Sequence, residues 1–290
     1  MEGKHHDIYA AIDPSSSASG LNNSAKGKTV IITGAGRGIG RSISINFAKA
    51  GAKTVVLASR TAAQLAEVGK EIKMVAPECN VIQQITDVGN VESVKKLIEK
   101  AVSVSDPATA YVLVNNAGIS EPNFNIADTN PEYWWNTWET NLKGTYLLTR
   151  FLLTHLSTES PSPHYIINVS SAASYWLVPG YSAYQLSKAA LNRFTEIIDM
   201  EYSKSHNLKT FAVHPGCVLT DMVKTSPSET HGLFKDTPEL MGGFTVWICG
   251  GQVDFASGRY LEANWDTNDI LKMEKQVQES NLWKTCVFFS

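Results

Sequence analysis

Two tyrosines, two serines and a lysine lie within YSAYQLSK, residues 181–188. On a helix, Tyr184 and Lys188 stand four residues apart and share one face. A phenol ordinarily keeps its proton up to a pKa of about 10, too high for exchange near neutrality. A neighbouring ammonium favours the phenolate and lowers that value, toward the range where a general acid/base works best. The pair therefore predicts proton transfer at Tyr184, with Lys188 lowering its pKa. A helix that carries a tyrosine and a lysine only for packing is the alternative, and the octapeptide alone does not separate the two.

A second segment points to the co-reactant. TGAGRGIG, residues 33–40, follows the apolar run KTVIIT and precedes RSISINFAKAG, whose apolar residues recur at helical spacing. Gly34, Gly38 and Gly40 permit a tight turn and a close backbone approach to a pyrophosphate. The helix start adds unpaired N–H groups and a positive dipole end. Strand, glycine turn and helix in that order predict a dinucleotide cradle. The next strand, TVVLAS, ends in Ser59-Arg60 with no acid to bond a ribose 2′-hydroxyl. Arg60 offers a planar guanidinium suited to a phosphate, Ser59 a hydroxyl, and Arg37 a second positive charge. These predict NADP(H) rather than NAD(H). A solvated Arg60 at a helix start is the alternative.

The elements that must position these groups follow from periodicity. TAAQLAEVGKEIKMV reads as a helix with Thr61 as N-cap. VIQQIT, YVLVN, YIINVS and KTFAVH are further apolar runs separated by helical stretches. Alternating strand and helix predict a doubly wound parallel sheet of Rossmann type, three-layered α/β/α, with its strands buried on both faces. Ligands then sit at the carboxyl ends of the strands. The expected organisation is a flexible arm over residues 1–26, one dinucleotide-binding and catalytic domain over 27–264, and a helical tail over 265–290. His5 and His6 in the arm are read as incidental, and no metal site is expected. Residues 221–237 form a polar, interrupted stretch.

Composition narrows the class. The 290 residues are 43% hydrophobic and 18% charged with a net charge of −3, which suits one globular α/β domain and not a nucleic-acid binder. No apolar run approaches a membrane span. The N-terminus lacks an apolar signal region, and four scattered cysteines read as reduced thiols. These predict a cytoplasmic protein.

Four more segments complete a pattern: NNAG at 115–118, NLKG around Asn141, NVSS at 168–171, and HPG at 214–216 with Thr220 close behind. With the glycine loop and YSAYQLSK, this ordered set resembles the short-chain dehydrogenase/reductase family over residues 28–262. The resemblance selects Tyr184 over Tyr181, because lysine follows it at four residues, and Ser171 over Ser170. It implies that Ser171 polarises the substrate carbonyl and that Lys188 holds the nicotinamide ribose. Asn141 is implied to anchor a water in the proton relay. It assigns Thr33, Gly34, Arg37, Gly38, Ile39 and Gly40 to the cofactor phosphates, and Asp87 and Val88 to the adenine. It also assigns Asn115, Ala117 and Gly118 behind the cofactor, and Pro215, Gly216, Val218 and Thr220 at the nicotinamide. The family is usually oligomeric, which implies a homodimer or homotetramer.

The chain departs from the family where the seventh strand usually runs into an Asp-Gly-Gly-like stretch. Here GRYLEANWD ends in Asn264-Trp265-Asp266, followed by DILKMEKQVQE, which looks helical, and an apolar terminus. That ending resembles members from filamentous fungi, many of which work in biosynthetic clusters for secondary metabolites. Tyr175, Trp176, Tyr181, Met222 and Phe234 occupy segments that usually wall the substrate pocket. Their aromatic character suits a bulky apolar carbonyl or alcohol. Trp134, Trp135 and Trp138 read as core or interface, and Cys217 as filler, not a nucleophile. Two other functions fit the same scaffold. One is a non-redox isomerase, dehydratase or cyclase; the other is a binding protein that senses NADP(H).

Overall fold

The computed structural model describes residues 3–121, 124–223 and 232–287. Seven strands form one parallel sheet: β1 Thr29–Thr33, β2 Thr54–Ser59, β3 Asn80–Ile85, β4 Tyr111–Asn115, β5 His164–Val169, β6 Leu208–His214 and β7 Arg259–Glu262. Their order is β3-β2-β1-β4-β5-β6-β7. The chain winds outward from β1 to one edge and from β4 to the other, so a crevice opens between the ends of β1 and β4. Helices α1 (Gly38–Lys49), α2 (Ala62–Val75), α3 (Val91–Ser103), α4 (Pro131–Trp138), α5 (Gly144–Leu153), α6 (Ser182–Tyr202) and α7 (Pro238–Cys249) cover the two faces. The short α8 (Thr267–Lys272) and α9 (Glu274–Gln278) follow β7.

The central strands are apolar on both sides because helices cover both sides. β1, β4 and β5 are buried at every position. The expectation of two-sided burial fails at β3, which lies at the edge and alternates exposed and half-buried residues. Thr61 stands at the N-cap position of α2, but its side chain makes no capping hydrogen bond. The tail forms two short helices where one was expected.

The arm expected to be flexible is packed. Ile12 and Leu21 are fully buried in the main core, and Ile8 and Tyr9 pack against it. Lys28, also buried, donates from Nζ to the carbonyls of Ser24 and Cys249 at 3.0 and 2.8 Å, which satisfies a charge that burial would otherwise penalise. The departure after β7 explains much of this docking. The Asn264 carbonyl accepts the Lys4 and His5 amides at 2.8 and 3.2 Å. Asp266 caps α8 through the Asn268 amide and bonds His5 Nε2 at 2.9 Å. The polar composition that suggests a solvated arm is spent on these contacts. The tail docks on its own domain: Arg259 donates to the carbonyls of Val277 and Leu282 at 2.5 and 2.6 Å. Residues 224–231 of the polar stretch and the last three of the apolar terminus fall outside the described residues.

A packed arm predicts a measurable cost. Ile12→Ala should lower the unfolding free energy by about 2–5 kcal/mol, as a core truncation does, when read by urea denaturation. A solvated arm would leave it within about 0.5 kcal/mol.

Candidate active site

The glycine turn is built for close approach. Gly34 and Gly38 take φ of +64° and +52°, in the left-handed region. A Cβ on Gly40 would lie 2.2 Å from the Gly34 carbonyl oxygen, so no side chain fits there. Thr33 joins the ends of β1 and β4: its hydroxyl accepts from the Asn116 and Ala117 amides at 3.0 and 3.1 Å. Asn116 donates from its side chain to the Thr33 and Gly34 carbonyls at 2.8 and 3.3 Å. The motif NNAG marks this segment without saying which asparagine reaches the glycine turn. Asn115 does not; its amide donates to Asn168 Oδ1 at 2.8 Å inside the sheet.

Around this cradle the expected residues divide. Ile39 packs partly against the core. Arg60 is exposed and makes no ion pair among the described residues, with Ser59 beside it at the end of β2. Arg37 is paired with Asp221, so the second positive charge expected there is offset. Val88 is buried against Gly144, while Asp87 is exposed and accepts the Gly89 amide at 3.0 Å. The segment after β6 folds back over the turn. The Thr220 methyl comes within 3.7 Å of where a Cβ of Gly38 would stand. Gly216 takes φ +91°, and Val218 bridges to Asp236. Pro215 is buried. Asp236 holds the neck of this loop, accepting the Cys217 amide at 2.5 Å while its other oxygen meets His6 Nδ1 at 2.5 Å. Neither Asp236 nor His6 carries a signal in the sequence.

The residues expected to form the acid/base group come together from three elements. α6 puts Tyr184 and Lys188 one turn apart, with Lys188 Nζ 5.6 Å from the Tyr184 ring centre. The Ser171 hydroxyl accepts the Ala173 amide at 3.1 Å and lowers the pKa of the Tyr184 phenol. Ser170 instead donates to Asn192 at 2.6 Å and stays buried. Asn141 lies in a π-helical turn, Glu139–Lys143, between α4 and α5. Its side chain brackets Ile119, accepting from the amide and donating to the carbonyl at 2.9 Å each, and donates to Ser187 at 3.0 Å. Asn141 Oδ1 and Lys188 Nζ both lie under 4 Å from where a Cβ of Gly118 would stand.

The expected tuning of Tyr184 by Lys188 is not what the chain alone produces. Burial is the largest influence on the phenol and raises its pKa above the ordinary value; the Ser171 hydroxyl opposes it, and the charge of Glu121 adds to it. Lys188 aims its ammonium at the Val169 carbonyl, 2.6 Å away, and not at the phenol oxygen. Burial lowers the lysine's own pKa to about 8. Cys217 is a poor nucleophile, because burial, Asp236 and Glu262 all push its thiol up.

Of the expected pocket residues, Tyr175 and Trp176 are half and mostly exposed, at 50% and 61%. The Tyr175 hydroxyl donates to Glu262 at 2.5 Å. Tyr181 occupies the N-cap position of α6, and Met222 and Phe234 are half-buried. Leu177, Val178 and Phe124 are also exposed, and the Phe124 amide donates to the Gly180 carbonyl, which joins two of these loops. Trp134, Trp135 and Trp138 cluster on α4, where Trp134 donates to Ser182 at 3.0 Å.

Comparison with known proteins agrees with this architecture. A family model described as short chain dehydrogenase matches residues 28–231. The chain is 34% identical over 286 residues to the short chain dehydrogenase mpl6 of Monascus purpureus, covering 97% of this chain and 93% of that one. It is 31% identical over 282 residues to andI of Emericella variicolor, covering 97% and 93%. A solved dehydrogenase/reductase from Sinorhizobium meliloti superposes with a TM-score of 0.74 at 25% identity, over 83% of this chain and 95% of the other. A 7α-hydroxysteroid dehydrogenase complexed with NADH and a 7-oxo bile acid superposes at 0.75 with 24% identity, over 84% and 95%, which shows the fold alone. The chain belongs to the short chain dehydrogenase family and is an oxidoreductase that acts on an alcohol or carbonyl with NAD(P).

The buried lysine carries a stability cost. Its pKa falls from 10.5 to about 8 in the fold, a penalty of roughly 3 kcal/mol below pH 8 that vanishes as pH rises to 10.5. The Val169 bond is lost with the side chain and offsets part of this. Lys188→Met should therefore raise the unfolding free energy at pH 7 by about 1–2 kcal/mol. The gain should shrink between pH 8 and 10.5, as measured by denaturation at each pH.

Proposed function

We propose that the enzyme is an NADP(H)-dependent reductase of bulky, apolar carbonyl compounds, acting in secondary-metabolite biosynthesis, with Tyr184 as general acid/base. The single observation that carries the reading is the pairing on α6 of Tyr184 with a buried Lys188, whose Nζ lies 5.6 Å from the tyrosine ring centre. The glycine turn fits a pyrophosphate, since only glycine is admitted at position 40. Arg60, exposed and without an ion-pair partner among the described residues, suits a 2′-phosphate. When bound, the reduced nicotinamide supplies the hydride.

The residues of the chain account for the rest. Ser171 donates to the substrate oxygen and stabilises charge as it develops there. Tyr184, held protonated by its surroundings, passes its proton to that oxygen, and the carbonyl becomes an alcohol. Lys188, with a pKa of about 8, exchanges protons near neutrality and is placed to return one toward Tyr184. It also holds the nicotinamide ribose. Asn141 orders this relay from the π-helical turn; its bonds to Ile119 and Ser187 keep the turn fixed. Exposed Trp176, Leu177 and Val178 favour an apolar substrate. A homodimer or homotetramer is part of the same reading. It is supported by an apolar cleft of about 530 Å³ on the outer face of α4–α6, lined by Trp135, Trp138, Tyr146 and Phe194.

Two experiments test the reading. Tyr184→Phe should reduce turnover of a ketone by at least about a hundredfold while NADPH still binds; full turnover in that variant sinks it. Quenching of the tryptophans should show NADPH binding at least about tenfold tighter than NADH, and Arg60→Ala should remove the difference. Equal binding of both cofactors by the unmodified enzyme would reject the NADP(H) preference.

A further inference from the structure

Four free N–H groups open every α-helix and need acceptors. In α6 the N-cap residue, Tyr181, makes no side-chain capping bond. The acceptor comes from more than sixty residues earlier. Glu121, buried with 7% of its surface exposed, lies just past NNAG and reaches the first turn. Its Oε1 accepts the Ala183 amide at 2.7 Å, and its Oε2 accepts the Tyr184 amide at 3.0 Å. A carboxylate here also meets the positive end of the helix dipole.

The contact closes a ring around one residue. The Tyr184 amide is held by Glu121. The Tyr184 carbonyl accepts the Ser187 hydroxyl at 2.7 Å. Ser187 in turn accepts from Asn141 at 3.0 Å, and Asn141 brackets Ile119, two residues before Glu121. Both backbone groups of Tyr184 are thus tied to the segment that leaves β4. An ordinary cap would need only a serine or aspartate at position 181. A buried carboxylate delivered from the segment after β4 does more, since it ties the first turn of α6 to that segment.

We propose that Glu121 is a positioning residue for Tyr184: it clamps the first turn of α6, and with it the tyrosine's backbone, to the segment that leaves β4. The charged and titratable groups that act on that phenol are Glu121 from the segment after β4, Lys188 one turn along α6, and Cys217 after β6; the Ser171 hydroxyl acts on it in the opposite direction to Glu121. Glu121 and Cys217 both act to hold the proton on. The proposal rests on the reading of Tyr184 as acid/base, and its test is chosen to work without a substrate.

The test is a pH titration of tyrosines labelled with carbon-13 at Cζ, followed by NMR on the full chain with saturating NADPH. The Tyr184 signal is assigned by its loss in Tyr184→Phe. Glu121→Gln keeps an acceptor and removes the charge; its Tyr184 should titrate at least about half a pH unit below that of the unmodified enzyme. Glu121→Ala removes both, and should also lower turnover about tenfold or more with NADPH affinity within about twofold. A plain helix cap would lower the melting temperature in both variants without moving the titration, and that result overturns the proposal. Should Glu121→Ala fail to fold, the Glu121→Gln titration decides alone. Full turnover by Tyr184→Phe would instead defeat the acid/base reading, and it is measured separately.

Discussion

All seven strands run in one direction, and the placement of every reactive group follows from that. A parallel sheet needs a crossover after each strand, so the chain leaves each strand at the same edge. Thr33, Arg60, Asn116, Ser171 and Pro215 come from five different strand ends and still meet along that edge. Asn115 and Asn168 occupy the sheet beneath it. Asn115 donates to Asn168, which donates to Thr195 of α6 at 2.8 Å, so a buried polar chain pins β4, β5 and α6 together.

At the edge itself, several buried polar groups are held by specific partners. Lys188 is aimed at a backbone carbonyl, Asn141 fills its hydrogen bonds with Ile119 and Ser187, and Glu121 takes two helix amides. These arrangements are costly to bury and would be replaced by apolar packing if stability alone mattered. A lysine with a pKa of about 8 and a phenol held protonated are groups displaced in a direction that suits proton donation. The π-helical turn at Asn141 belongs to the same economy, since an extra residue in a helix re-aims one side chain.

The far side of the site shows a different dependence. Asn264, Trp265 and Asp266 depart from the family's usual ending, and residues near the N-terminus meet them. Lys4 and His5 bond Asn264 and Asp266, His6 meets Asp236, and Thr237 donates its amide to the His6 carbonyl at 2.8 Å. Asp236 then holds the neck of the loop that carries Cys217, Val218 and Thr220. The first residues of the chain and its departure from the family pattern are therefore parts of one contact. It reaches the proposed nicotinamide end of the site.

The sequence by itself determined the parallel sheet and the glycine turn, and it set Tyr184 and Lys188 one turn apart on a helix, because each depends on residues close along the chain. Strand and helix periodicity, glycine at a turn and a four-residue spacing are local properties. The sequence misled about the arm. Local composition reports solvation preference, whereas Ile12 and Leu21 are buried against α7 and its C-terminal end, more than two hundred residues later. Only the tertiary structure decided that Asn116, and not Asn115, backs the glycine turn, and that Arg37 is neutralised by Asp221. It also decided that Glu121 caps α6. These outcomes depend on distance in space between segments far apart in sequence. The energy of a charge depends on what surrounds it: burial raised the Tyr184 pKa that proximity to Lys188 had been expected to lower.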